Sequence, residues 1–156
     1  MTGNSGLRLE MRRVLRTPRT VVFHALSDPH ELVKYWGPNG FTIPGVESEL
    51  RAGGHYRIAM QPPEGEPFYL EGEFIEVDPP RSLSYTFRWQ PPDVDDRETV
   101  VRLSLRELND MATELLFTQG DFATEQRRQV HEDGWTQTLD KLEGLVSPRA
   151  VRPAGR

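Results

Sequence analysis

Several residue types and patterns are missing from this sequence, and each absence excludes a class of protein. There is no cysteine, which excludes disulfide bonds, thiolate chemistry and cysteine-ligated zinc or iron–sulfur sites. No apolar run is long enough for a transmembrane helix, and residues 1–6 are too polar for a signal peptide. Basic residues are in deficit, because 19 Lys and Arg face 24 Asp and Glu and leave a net charge of -5. This balance argues against nucleic acid or an anionic membrane as a partner. Because neither a transmembrane run nor a signal peptide is indicated, we expect a cytoplasmic protein.

The residues that are present are typical of one folded domain with many turns. A chain of 156 residues can bury a real core within a single domain. It contains 13 Gly and 13 Pro, and its 3 Trp, 4 Tyr and 7 Phe exceed the aromatic content of disordered chains. We predict a flexible N-terminus over residues 1–6, one domain over residues 7–146 and a disordered tail over residues 147–156.

The order of the hydrophobic patterns predicts an α+β fold. Residues 7–15 alternate apolar and polar side chains as a half-buried strand does, and two short helices follow, up to Trp36. Asp28 and Pro29 offer a cap and a first-turn proline for the second helix. Alternating segments up to residue 119 predict an antiparallel meander, and residues 124–146 predict one long amphipathic helix. The sheet must curl around this helix, which leaves a cavity wherever facing side chains do not fill the space.

Five short motifs keep a fixed order along the chain: residues 18–29 (PRTVVFHALSDP), 35–38 (YWGP), 50–56 (LRAGGHY), 72–80 (GEFIEVDPP) and 134–135 (GW). Together they resemble the SRPBCC superfamily, and within it the group related to the C-terminal domain of the activator of heat-shock-protein-ninety ATPase. The resemblance implies a START-like, Bet v 1-like helix-grip fold with a deep hydrophobic cavity. In that fold a curved antiparallel sheet of about six to seven strands wraps around the long C-terminal helix, and two short helices follow the first strand.

Apolar side chains that face the predicted helix are the candidate ligand-binding residues. We predict that the cavity lining consists of Trp36, Phe41, Tyr56, Ile58, Met60, Phe74, Tyr85, Phe87, Trp89, Leu103, Phe117, His131, Trp135 and Leu139. The alternative that these side chains only pack against one another as a core stays open at this point.

A second set of positions is predicted to shape the backbone: Gly53, Gly54, Gly72, Pro79, Pro80 and Gly134. Gly53 and Gly54 indicate a positive φ or a close backbone approach, and in resembling proteins this loop borders the cavity entrance. Gly72 and Gly134 lie inside a strand and a helix, where we expect the sheet and the helix to come close.

The sequence offers little for catalysis, metals or cofactors. His24, His30, His55 and His131 lack the spacing of a metal site, and we predict no metal, no cofactor and no assigned catalytic residue. One enzymatic alternative remains, since simple alternation puts Glu76 on the inner face, where His131 with Glu76 or Tyr85 could act as an acid/base set of a cyclase or hydrolase. Arg51, Arg57 and Arg88 are candidate rim cations for an acidic ligand, but a solvated outer face is favoured for them.

The leading functional hypothesis is binding of a hydrophobic or aromatic small molecule, for sequestration, transport or a stress response. The long helix and the two proline-rich loops at residues 61–67 and 91–97 would gate the cavity. The alternative is a protein-interaction module, which the resemblance to the chaperone activator implies. The expected partner is a small apolar ligand, with a protein partner or a second copy of the chain left open.

Overall fold

The computed structural model describes residues 7–147, so the predictions made for residues 1–6 and 148–156 lie outside the described residues. A strand, β1 (Leu9–Leu15), is followed by two short helices, α1 (Arg19–Ser27) and α2 (Pro29–Tyr35). Six strands come next: β2 (Thr42–Ser48), β3 (His55–Gln61), β4 (Phe68–Asp78), β5 (Ser82–Gln90), β6 (Thr99–Asn109) and β7 (Ala112–Gly120). A long helix, α3 (Glu125–Val146), ends the fold.

The strands form one open antiparallel sheet in the order β1-β7-β6-β5-β4-β3-β2. All neighbours from β2 to β7 are consecutive in sequence, and β1 pairs with β7 at the far edge. The predicted α+β helix-grip fold is therefore confirmed, including the two short helices after the first strand. None of the helices within residues 7–147 is long and apolar enough to span a membrane.

Two helix starts follow directly from local sequence signals. The Asp28 side chain accepts a hydrogen bond from the backbone N–H of His30, and Pro29 occupies the first turn of α2. The Thr124 side chain accepts from the N–H of Arg127 at the start of α3. At the other end of α3, the N–H of Ser147 donates to the carbonyl oxygen of Glu143. The predicted cap at Asp28 is confirmed, and Thr124 caps α3 in the same way.

The core lies between the inner face of the sheet and the buried face of α3. Trp135, Leu139 and Leu142 project from α3 into it and are 5%, 1% and 0% exposed. They belong to one buried core with side chains of β6 and β7, among them Leu103 and Phe117. This packing holds the helix over the sheet and fixes the position of the cavity beside it.

A β-bulge in β4 reverses the predicted orientation of Glu76. Phe74 pairs with Tyr85, but Glu76 pairs with Ser84, so Ile75 is an extra residue between them. Beyond an extra residue the side chains change face, and Glu76 is exposed on the outer face of the sheet. The prediction that Glu76 lies on the inner face beside Phe74 is wrong for this reason.

Gly72 and Gly134, the two glycines predicted to mark a close approach, have different surroundings. A Cβ at Gly72 would overlap the carbonyl oxygen of Thr86 and come within 2.7 Å of Cε1 of Tyr56. A Cβ at Gly134 would meet only Cγ of Pro38 at 3.7 Å, which is ordinary van der Waals contact. At Gly72 the backbone is approached closely, but by neighbouring strands of the sheet and not by a helix, so the predicted approach of sheet and helix is wrong there. At Gly134 the prediction of a close backbone approach is wrong.

Candidate ligand cavity

A cavity of about 540 Å³ lies between the sheet and α3. Its walls carry six aromatic side chains: Trp36, Phe41, Phe68, Phe87, Trp89 and Trp135. The rings meet mostly edge to face; Trp36 lies 5.1 Å from Trp135 between centroids and Phe68 lies 5.4 Å from Trp89. A volume of this size is within the range of roughly 300 to 1,000 Å³ that small-molecule sites occupy.

The Trp135 ring is fixed by a buried polar pair on the neighbouring strands. Its indole N–H donates to Oε1 of Gln119 at 2.8 Å, and Nε2 of Gln119 donates to Oγ1 of Thr99 at 2.9 Å. Gln119 is only 1% exposed, so its amide would be costly to bury without these partners. The pair therefore sets the orientation of one cavity wall.

His131 is held in one tautomer by two hydrogen bonds. The indole N–H of Trp89 donates to Nε2 of His131 at 3.0 Å, so this nitrogen must be the acceptor. Nδ1 then carries the proton and donates to the carbonyl oxygen of Arg127 at 2.8 Å. Burial lowers the pKa of His131 below its ordinary value of 6.5, because protonation would place a charge among aromatic rings. The ring is a neutral spacer that positions Trp89.

Because His131 is buried in its neutral form, its protonation should make the stability of the protein depend on pH. The unfolded chain binds the proton near pH 6.5 and the folded chain binds it less readily, so stability must fall as the pH drops below about 6.5. The slope for one group is at most about 1.4 kcal/mol per pH unit. Urea unfolding of the native chain and of His131→Gln, measured on both sides of this pH, should show a steeper loss for the native chain. Equal slopes would contradict the buried neutral state.

The mouth of the cavity is formed by α3 and two loops. Arg127 of α3 donates from Nη2 to Oδ1 of Asp96 at 2.6 Å, and its Nη1 lies 3.8 Å from Oδ2 of Asp93. The Asp96 side chain is only 6% exposed, so this is a largely buried ion pair. Glu66, from the other loop, also lines the cavity. The loops that the sequence predicted as a gate therefore lie at the cavity.

The structure brings some of the predicted lining residues to the cavity and leaves others elsewhere. Those that line it are Trp36, Phe41, Met60, Phe87, Trp89, His131 and Trp135. Four others surround a separate space of about 20 Å³: Tyr56, Ile58, Phe74 and Tyr85. Trp36 borders both spaces. Leu103, Phe117 and Leu139 are core residues that line neither space.

The predicted backbone positions are distributed around the fold. Gly53 has φ +84°, and a Cβ at Gly54 would overlap the backbone of Glu49, so this turn needs both glycines. The turn does not line the cavity, contrary to the expectation that it borders the entrance. Pro79 and Pro80 lie between β4 and β5, and Gly134 is part of the cavity wall.

Sequence reasoning missed four lining residues: Phe68, Arg127, Val130 and Thr138. Glu66, Pro67, Pro91, Asp93 and Asp96 lie in the two loops predicted as a gate but were not named as lining residues, and Gly37, Pro38 and Gly134 complete the lining. Phe68 begins β4 and lies in alternation with Leu70, so the same period-two pattern could have identified it. The pairing of Arg127 with Asp96 gives no signal in sequence, because the two residues are 31 positions apart.

The structure does not assemble the acid/base set that the sequence left open. Glu76 is exposed, accepts a hydrogen bond from the Ser82 hydroxyl and does not line the cavity. Burial raises the pKa of Tyr85, and its ring packs against Tyr56 and Phe74. Arg57 and Arg88 are exposed and pair with glutamates of the outer face, as expected for solvated residues. Within residues 7–147 no group of three or more His, Asp or Glu is placed to hold a metal ion.

A sheet that wraps around a C-terminal helix, with a lined cavity between them, defines a helix-grip domain of the ligand-binding or interaction type. The sequence model of the family described as Activator of Hsp90 ATPase homolog 1-like protein matches residues 16–147. The chain belongs to this family, which confirms the resemblance to the SRPBCC superfamily.

Solved bacterial structures show the same fold. Protein CV1439 from Chromobacterium violaceum is 26% identical, with a TM-score of 0.80 and coverage of 92% of this chain and 99% of that chain. Protein NE0264 from Nitrosomonas europaea is 28% identical, with a TM-score of 0.75 and coverage of 90% and 94%. The AHSA1 protein SPO3351 from Silicibacter pomeroyi is 26% identical, with a TM-score of 0.76 and coverage of 88% and 96%. No curated protein matches the chain.

Proposed function

We propose that this protein binds a hydrophobic, aromatic small molecule in the cavity between the sheet and α3. The observation that carries the proposal is a space of about 540 Å³ with six aromatic side chains in its walls. A core that had only to be packed would fill such a volume, because protein interiors leave few voids larger than a water molecule. The cavity therefore favours binding of a ligand over packing alone.

The polar groups in the wall support the same proposal. The indole N–H groups of Trp89 and Trp135 already have partners, His131 and Gln119. The polar atoms of these two rings are thus satisfied within the protein, which suits a hydrophobic ligand. Binding would be driven mainly by removal of apolar surface from water.

The proposal is tested with N-phenyl-1-naphthylamine, a neutral dye that fluoresces in apolar surroundings. We expect saturable binding to the native chain with a stoichiometry of one. Gly134→Phe should weaken binding by at least about tenfold, since its side chain starts at the cavity wall and has open space ahead of it.

Gly134→Ala is the matched control, because its Cβ makes only an ordinary contact with Pro38 and leaves most of the volume free. This variant should bind the dye as the native chain does. Urea unfolding of both variants would establish that each is folded. Undiminished binding by folded Gly134→Phe would show that the dye binds outside the cavity and would contradict the proposal.

A further inference from the structure

The charged side chains of the cavity lining are unevenly balanced. Three carboxylates, Glu66, Asp93 and Asp96, face one guanidinium, Arg127, which leaves a net charge of -2. Among the lining residues of the described chain, Arg127 is the single cation. His131 adds no charge, because its two nitrogens are committed to Trp89 and to the Arg127 carbonyl in the neutral tautomer.

The charge of Arg127 is already neutralised within the protein. Asp96 holds one end of the guanidinium at 2.6 Å, and Asp93 lies 3.8 Å from the other. An acidic ligand would have to displace a carboxylate that is only 6% exposed, and leave that carboxylate without its cation. Glu66 and Asp93 are exposed at the mouth, where their charges face any approaching ligand.

The aromatic wall also favours a positively charged ligand. Ring faces carry negative electrostatic potential and attract ammonium and guanidinium groups, and tryptophan does so most strongly. Trp36, Trp89 and Trp135 all line the cavity. A ligand with an apolar ring system and a protonated amine can therefore pack its rings among the aromatic side chains, while the tryptophan rings and the carboxylates at the mouth both attract its ammonium group.

We infer that the cavity selects apolar aromatic amines, in their protonated form, over aromatic acids of the same shape. The inference rests on the proposed function and adds the charge of the ligand to it. It depends on two separate observations, the excess of carboxylates over cations in the lining and the tryptophan-rich wall.

The test uses three naphthalene probes of similar size: 2-naphthylmethylamine, 2-naphthalenemethanol and 2-naphthoate. Their affinities for the native chain would be measured at pH 7 and low salt by displacement of N-phenyl-1-naphthylamine. We expect the amine to bind at least about tenfold more tightly than the acid, with the alcohol between them. Higher salt should reduce the difference, because the charges at the mouth are exposed.

A matched pair of variants locates the source of the selectivity. The double variant Glu66→Gln with Asp93→Asn removes the exposed carboxylates of the lining and should reduce the amine-to-acid ratio at least about threefold. The double variant Glu64→Gln with Asp95→Asn removes two exposed carboxylates from the same two loops, at positions that do not line the cavity, and should leave the ratio unchanged. An equal change in both variants would overturn the inference.

The remaining outcomes separate this inference from the proposed function. Equal binding of all three probes would support the cavity as a ligand site and overturn the charge selectivity. Tighter binding of the acid would also overturn it, and would point to Arg127, whose buried Nε has no hydrogen-bond partner within residues 7–147. If neither the dye nor any naphthalene probe binds, both the proposed function and this inference fail.

Discussion

Replacing Gly72 by alanine is expected to lower the free energy of unfolding by about 3 kcal/mol, the upper part of the range for overpacking. The added methyl group would overlap the carbonyl oxygen of Thr86, which is backbone of the paired strand β5. It would also come within 2.7 Å of the Tyr56 ring, whose hydroxyl donates to that same oxygen. Relief therefore requires a movement of the strands themselves. Urea unfolding with linear extrapolation gives the measurement.

Gly134→Ala is expected to change the free energy of unfolding in the opposite direction. This glycine lies in the middle of α3, and a new Cβ would meet only Pro38 at 3.7 Å. Alanine removes backbone freedom from the unfolded chain and should raise the free energy of unfolding by up to about 1 kcal/mol. If Gly72→Ala were as stable as Gly134→Ala, the close approach at the β4–β5 pair would be absent in solution.

Replacing Trp135 by alanine is the second change with a large expected effect, a loss of about 4 kcal/mol of stability. Its ring is 5% exposed and lies 4.4 Å from Phe117 and 5.1 Å from Trp36 between centroids. Removing it joins new empty volume to the existing cavity and leaves the Gln119 carbonyl without its donor. The unfolding free energy in urea and the circular dichroism of the folded baseline would be measured together.

Trp135→Phe is the control for the polar part of this effect. Phenylalanine keeps most of the ring contacts with Phe117 but cannot donate to Gln119, so we expect a smaller loss of about 1 to 3 kcal/mol. A loss for Trp135→Phe as large as that for Trp135→Ala would mean that the hydrogen bond, and not the packed ring, dominates at this position. A negligible loss for both would show that the α3 contact with the sheet is not part of the folding core.

Local patterns were sufficient for most of the fold. The period-two alternation of β5 and the uninterrupted helical period of α3 are properties of neighbouring residues, and so are the caps at Asp28 and Thr124. The same alternation failed in β4, because an extra residue at Ile75 exchanges the two faces beyond it. The residue type at that position does not indicate a bulge, and Glu76 was consequently assigned to the wrong face.

The cavity was only partly predictable, because the alternation pattern is limited in a second way. Alternation distinguishes the inner face of a strand from the outer face, but it does not distinguish a side chain that borders empty space from one that is packed. Tyr85 and Phe87 are both inward-facing residues of β5, yet only Phe87 lines the large cavity. The distance between sheet and helix at each level decides this, and that distance depends on all side chains between them.

The sequence by itself determined which classes of protein are excluded by composition, the order of the elements, most of their bounds and the superfamily. Each of these is encoded in residue types and in their spacing along the chain. The tertiary structure alone decided which aromatic rings border the cavity, which nitrogen of His131 carries its proton and which carboxylate neutralises Arg127. These features join residues that are far apart in sequence, 42 positions for Trp89 and His131 and 31 for Asp96 and Arg127. Their geometry exists only after the sheet has closed around α3, because no local propensity brings such residues together.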